Sequence, residues 1–319
     1  MGHNEGHGDN GKFDDRTFVY IRTNPADDGT EPLPPNLPCW VSPDITIIQP
    51  GGIRGGEAVA GQLNQVEVIV TNAGGLDAID AYVEAFVADP STSFTPATAT
   101  LVGGDYLSIP GYNTGTIAFP WTPLSADVGH RCLLARVCLL LPPDCYKDPT
   151  VFDVVGDRHV AQRNISVIAL TDSDSASFRF LMTNPRKKRS EFVLRAREIK
   201  VGPDAGAVRR ALGCWCAQFA EAPLADLRLG LGEAVKLGNE PDPERRFQPS
   251  PWGVLKAPVR LAARKTATAA LARDEVREAV VTLSANLDVR PGDLHIVEIA
   301  QLESRTKQVV GGLWLVVHR

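Results

Sequence analysis

The chain has 319 residues, of which 44% are hydrophobic and 22% charged, with a formal net charge of −5. That balance suits a soluble folded protein of about two domains and excludes wholesale disorder. No apolar run approaches the ~20 residues of a membrane span, and the opening "MGHNEGHGDNGKFDD" has neither the basic nor the apolar region of a secretory signal.

The charge is unevenly placed. Residues 1–170 hold 9 Lys/Arg against 20 Asp/Glu, and residues 171–319 hold 24 against 18. An acidic front and a basic back can steer one molecule onto another, or two domains can simply differ in charge. With no such signal in the opening residues, a cytoplasmic location is the expectation, with export by another route or release as part of an assembly as alternatives.

In chain order, a polar tail gives way to "RTFVYIRT" (16–23), which alternates as a half-buried strand does. "NPADDGTEPLPPNLP" then reads as an extended, proline-stiffened connector. Residues 1–38 are therefore a tail, a strand and an arm. From residue 39 to 170, strands are expected at 42–49, 64–75, 80–89, 114–123 and 157–170, with weaker ones at "TATLVGG" and "YLSIPG". Between the last two strong ones lies "GHRCLLARVCLLLPPDC" (129–145). There Leu133, Ala135, Val137 and Leu139 share the core face, and Cys132, Leu134, Arg136 and Cys138 share a second, half-covered face. This many short strands between turns reads as an all-β sandwich.

Residues 171–319 read as a second sandwich. "SDSASFRFLMTN" (173–184) and "EFVLRAREIKV" (191–201) are expected to form a hairpin around "PRKKRS". An insertion at about 205–255 opens on an alanine- and leucine-rich run (205–238) that suggests one or two short helices. Strands return at 257–273, 277–286, 293–303 and 308–319, the last two closing a hairpin at "SRTK". The strand pattern gives an all-β fold class: two tandem β-sandwiches, the second with a partly helical insertion.

"NQVEVIVTNAG", "YVEAFVAD", "GHRCLLARV" and "HVAQRNISVI" resemble the immunoglobulin-like domains of many bacterial proteins, over about residues 40–170. "FRFLMTN" and "GDLHIVEIAQLE…QVVGGLWLVV" resemble strands of a second copy. The resemblance implies a fold and hardly any function, since such domains serve as spacers, adhesins, enzyme accessories and parts of assemblies. "NQVEVIVTN" has no cysteine, so the inter-sheet disulfide of antibody domains is missing. His130 stands where those domains place a corner tyrosine.

The candidate chemistry is thin. His130 and Cys132 share a face, but no orienting acid or oxyanion hole is apparent, so no catalytic residue is assigned. Cys138 and Cys145 flank a turn that could close a disulfide contributing ~2–3 kcal/mol. Cys214 and Cys216 lack the second ligand pair of a zinc site. No cofactor is implied beyond calcium, for which Asp27, Asp28, Glu31, Asp172 and Asp174 are weak candidates. Arg186, Lys187, Lys188 and Arg189 form a basic turn without the broad aromatic-lined patch that nucleic acid needs, so nucleic acid is not an expected partner.

The expected function is that of a non-catalytic structural or interaction module, a subunit of a homo-oligomer or larger assembly. Phe18, Tyr20 and Arg22 on the arm would add to a neighbour's sheet edge, and the basic turn would meet an acidic surface. The alternative is an adhesin or accessory module that binds carbohydrate or a surface protein through Trp40, Tyr106, Tyr112 and Trp121. Accessory domains of an enzyme system rank third.

Overall fold

The structure is a computed structural model. It describes residues 13–318 apart from 36, 56–57, 124–130, 170–174, 202–205, 213–217, 237–259, 262–263, 274 and 285–292. His130, Cys214, Cys216, Asp172, Asp174 and most of the expected insertion lie outside the described residues.

Among the described residues, the first sandwich has ten strands. They are β1 (Val19–Tyr20), β2 (Ile45–Ile48), β3 (Arg54–Gly55), β4 (Asn64–Asn72), β5 (Ala78–Ala88), β6 (Ala99–Ile109), β7 (Asn113–Trp121), β8 (Cys132–Leu139), β9 (Asp144–Cys145) and β10 (Val160–Arg163). One sheet is centred on β4, which pairs with β7 on one edge and with β2 and β1 in succession on the other. The facing sheet runs β10-β8-β5-β6, with β9 also on β8.

The core follows from alternation. Val66, Val68 and Val70 of β4 turn inward and meet Ala81, Val83 and Ala85 of β5 and Leu133, Ala135 and Val137 of β8. The expected core face of β8 is therefore the observed one. Its other face is buried as well. Cys132 and Leu134 lie in a second apolar cluster with Trp40, Phe86, Phe94 and Phe152, joined by Ile296, Ala300 and Trp314 of the second sandwich. Arg136 lies over the Tyr146 ring at 4.4 Å and donates to Glu84 at 2.5 Å. The cover over this face is thus the connector, a loop and the neighbouring sandwich.

Where two weak strands were expected, β6 is continuous. Gly103 and Gly104 do not turn the chain; a Cβ there would stand 2.7 Å from the Phe119 ring and 2.4 Å from the Tyr82 hydroxyl. They are glycine because aromatic side chains lie against the backbone.

The stretch read as one strand at 157–170 divides between two sheets. Up to Arg163 it pairs with β8, and from Ile165 it becomes β11 (Ile165–Ala169), parallel to the last strand of the chain. Asn164 is the point of exchange. The remaining elements are β12 (Ser175–Thr183), β13 (Ser190–Ile199), a short helix α1 (Gly206–Leu212), β14 (Asp226–Lys236), β15 (Arg260–Leu261), β16 (Thr266–Leu271), β17 (Glu275–Ser284), β18 (Leu294–Glu303) and β19 (Val309–His318). They form sheets β11-β19-β18-β13-β16 and β12-β17-β14-β15 around Phe180, Leu194, Leu229, Val281, Val297 and Leu315.

β12 and β13 are not a hairpin. β13 has both edges occupied, by β16 and β18, and β12 pairs with β17 from Ser175↔Ser284 to Thr183↔Val276. Residues 226–236 are strand rather than helix. Leu227 and Leu229 are buried with Arg228 exposed between them, so burial on one sheet face overrides a composition poor in β-branched residues.

Candidate functional site

The arm is built into its own sandwich. Val19 and Ile21 are fully buried in the first core. β1 pairs with β4 through Val19↔Asn72 and Tyr20↔Thr71. Phe18 stacks on Phe13 with ring centroids 4.2 Å apart, and Tyr20 is buried. Arg22 donates to both oxygens of Asp44, at 2.5 Å from Nη2 to Oδ1 and 2.9 Å from Nε to Oδ2. Phe18, Tyr20 and Arg22 therefore meet partners within the chain.

The acids of the connector are not brought to one point. Asp27 accepts from the Thr23 amide and hydroxyl and from the Gly29 amide, Asp28 caps Thr30, and Glu31 accepts from the Arg158 amide at 2.7 Å.

Below the arm lies a buried ionic cluster that sequence reasoning missed. His159 is 3% exposed. Its Nδ1 is 2.8 Å from Asp157 Oδ1, and its Nε2 is 2.9 Å from Asp144 Oδ1. Asp144 also accepts from the Val19 amide at 2.7 Å and from the Arg158 guanidinium, whose carbon lies 4.3 Å above the Phe18 ring. Asp157 accepts from the Lys147 amide at 2.6 Å, and Lys147 Nζ lies 3.1 Å from Glu31. An imidazole between two carboxylates can donate to both only as the imidazolium.

The electrostatics agree. Burial pushes the His159 pKa down, but the hydrogen bonds to Asp144 and Asp157 outweigh it and leave the pKa raised. Burial pushes Asp144 and Asp157 up, but His159 and the backbone amides outweigh it and hold both below the ordinary carboxylate range. The only legible trace is the D-x-H of "DRHVAQRN", two positions apart and so able to share one side of an extended chain.

Glu31, Asp157 and His159 bring one ligand-type atom each to within 4.8 Å of one another. Both His159 nitrogens face carboxylates, however, and Glu31 grips Arg158 at two points. These donors serve protein partners in the structure.

The junction between the sandwiches is a second buried polar cluster. Asn164 Nδ2 donates to Ser91 O at 2.6 Å and Gly312 O at 2.9 Å, and its Oδ1 accepts from the Cys132 thiol at 2.7 Å. Thr92 donates to Gln301 at 2.5 Å, and Gln301 and Ser93 both donate to Thr183 O. A Cβ on Gly311 would lie 2.0 Å from Thr92 O, so the two backbones touch there. Cys132 is thus held by Asn164.

Burial pushes the thiols of Cys132 and Cys39 far above the ordinary range. Both are expected to resist iodoacetamide in the folded protein and to react once it is unfolded. Mass spectrometry of labelled peptides checks this, and prompt native labelling of Cys132 would contradict a closed junction. Cys138 and Cys145, paired across β8 and β9, form a disulfide.

The basic turn meets the acidic first sandwich within the same chain. Lys187 Nζ lies 2.7 Å from Asp148 Oδ2 across a cleft of about 200 Å³, lined on one side by Phe152 and Asp153 and on the other by Arg186 and Val310. Lys187, with the Thr150 amide and hydroxyl, holds the Asp148 carboxyl down at about 2. Arg186 reaches Gln308 at 3.4 Å, and Lys188 and Arg189 are exposed.

Of the four aromatics expected to form a platform, Tyr106 and Tyr112 are exposed and the two tryptophans do not join them. Trp40 is buried at the junction. Tyr112 precedes β7 and Trp121 ends it, so they stand at opposite ends of one strand. Among the described residues, no strand pairs with the outer edge of β6 or β7.

No family model and no curated protein matches the sequence. Solved structures with some likeness include the CARDB domain of the PF1109 protein of Pyrococcus furiosus, in complex with di-metal ions. It is 18% identical, with 33% of this chain and 76% of that one covered and a TM-score of 0.23. Others are the collagen adhesin of S. aureus (9%; 86% and 92%; 0.24) and a mutant of the CFA/I adhesin CfaE of enterotoxigenic E. coli (6%; 95% and 93%; 0.22). Superpositions this loose carry no argument about function, and the chain's own sheets define it as a pair of immunoglobulin-like β-sandwiches.

Proposed function

We propose that the protein is a non-catalytic structural module that joins a multi-subunit assembly by strand pairing at an open sheet edge. The observation that carries this reading is β7. Its nine residues, "NTGTIAFPW", contain no charge, and its outer edge has no partner strand among the described residues. Edge strands are normally guarded by lysines, bulges or cover. Here Pro120, at one end, is the single guard. β6 beside it has one charge, Asp105, in eleven residues.

Two copies meeting edge to edge through β7 would make an isologous contact and extend the β4 sheet across both chains. The arm does not supply the added strand in this reading, because Val19 and Ile21 belong to the core. The buried junction makes the two sandwiches one body, which suits a spacer. Lys188 and Arg189 remain exposed for an acidic neighbour.

Thr116 and Ala118 face solvent on β7. The double variant Thr116→Lys, Ala118→Lys is expected to abolish association with little effect on folding. Sedimentation velocity over a concentration series checks it. A wild-type chain that stays monomeric throughout, indistinguishable from the variant, would sink the proposal.

A further inference from the structure

Among the described residues, every exposed large apolar side chain lies in the first sandwich, and six gather at one end of it: Leu76, Ile79, Tyr106, Tyr112, Leu140 and Leu141. The registers bring them together. Tyr106 faces Tyr82 across β6 and β5, and Tyr82 faces Cys138 on β8, just before Leu140. The Tyr112 amide donates to Gly74 O at 2.8 Å, and the Asn72 side chain ties Leu76 O to Ile109 O. The second sandwich docks at the other end of β5, beyond Ala88, where Ser91 bridges to Leu181. Among the described residues, the apolar end is therefore the pole away from the second sandwich.

Two features set this pole apart from a chance scatter of surface leucines. Leu141 is 81% exposed and Leu140 71%, at the tip of a hairpin closed by the Cys138–Cys145 disulfide, so they are held out rather than folded back. Asp80 and Tyr112 both have φ of 55°, a left-handed conformation that is costly for a bulky residue and tends to mark functional sites. The rim is acidic: Asp77, Asp80 and Asp105 are exposed there.

We infer that this pole is an interaction surface for a different protein, one that presents an apolar pocket rimmed by lysine or arginine. A second copy does not fit. Pole against pole would bring acids onto acids, and the second sandwich has no exposed large apolar side chain among its described residues. An anionic membrane is disfavoured by the same rim. The tip is already ordered, so binding it loses little further freedom. This inference is independent of the β7 edge.

The probe is a labelled amphipathic leucine–lysine peptide, with a leucine–glutamate peptide of the same pattern as its counterpart, titrated against the full chain by fluorescence anisotropy. The leucine–lysine peptide is expected to bind, less tightly as salt rises, and the leucine–glutamate peptide not to bind. Leu140→Ser and Leu141→Ser are each expected to weaken binding on the order of tenfold. Asp77→Lys with Asp105→Lys should reverse the preference between peptides, and Ile53→Ser with Leu63→Ser, at the opposite end, should change nothing. Equal binding of both peptides, or binding indifferent to the two leucines, overturns the inference. So does leucine-dependent co-sedimentation with phosphatidylcholine vesicles, which would assign the pole to a membrane. Self-association lost in Leu141→Ser but kept in Thr116→Lys, Ala118→Lys would assign it to a second copy and overturn it as well.

Discussion

Replacing His159 by leucine is expected to cost about 3–5 kcal/mol of folding stability, because it leaves Asp144 and Asp157 buried without the cation between them. The loss should appear as a lower urea midpoint with an unchanged slope. A local effect should accompany it: the Val19 amide donates to Asp144, so hydrogen exchange at β1 should accelerate more than at β4.

The wild-type chain should carry the matching pH signature. The raised His159 pKa contributes stability that is fully present below about 6.5, its ordinary value, and lost as pH rises through the folded value. The lowered Asp144 and Asp157 contribute stability that is present above about 3.9 and lost as pH falls through their folded values. The cluster is thus firmest between about pH 4 and 6.5. Arg158, Glu31 and Lys147 complete it. Urea midpoints measured across pH should fall on both sides of that window, and the alkaline fall should vanish in His159→Leu. An alkaline fall of the same size in the variant would show that another group is responsible.

Replacing Asn164 by leucine is expected to cost about 2–4 kcal/mol, since Ser91 O, Gly312 O and the Cys132 thiol each lose a buried side-chain partner. The more telling readout is cooperativity. The two sandwiches share the β10–β11 segment and a common apolar cluster, so the wild-type chain should melt in one calorimetric transition. In Asn164→Leu the second sandwich should uncouple and two transitions should separate. Asn164→Asp tests the same point chemically. It keeps the acceptor for Cys132 but loses both donors, and should resemble leucine more than wild type. A single unshifted transition in both variants would show that apolar contact alone joins the domains.

The period-2 patterns of β4, β8, β17, β18 and β19 were legible in the chain, because alternation is a local property and a buried sheet face demands it. The face of β8 that forms the first core could be named residue by residue. The proximity of Cys138 and Cys145 could also be seen, since a short turn has few paths. Partners across long separations could not. Asp144 meets the Val19 amide, and Thr92 meets Gln301, only after the sheets have stacked. The assignment of β12 and β13 to opposite sheets was hidden for the same reason: two adjacent alternating runs look alike whether they pair with each other or with strands a hundred residues on. β14 was misread because its glycines, alanines and leucines carry little intrinsic preference, and burial against β17 decided it. The sequence by itself determined which residues want one face buried. Only the tertiary structure decided what buries them, because side-chain pattern is set within a strand while the choice of neighbour is set by packing, loop path and the pairing of charges far apart in the chain.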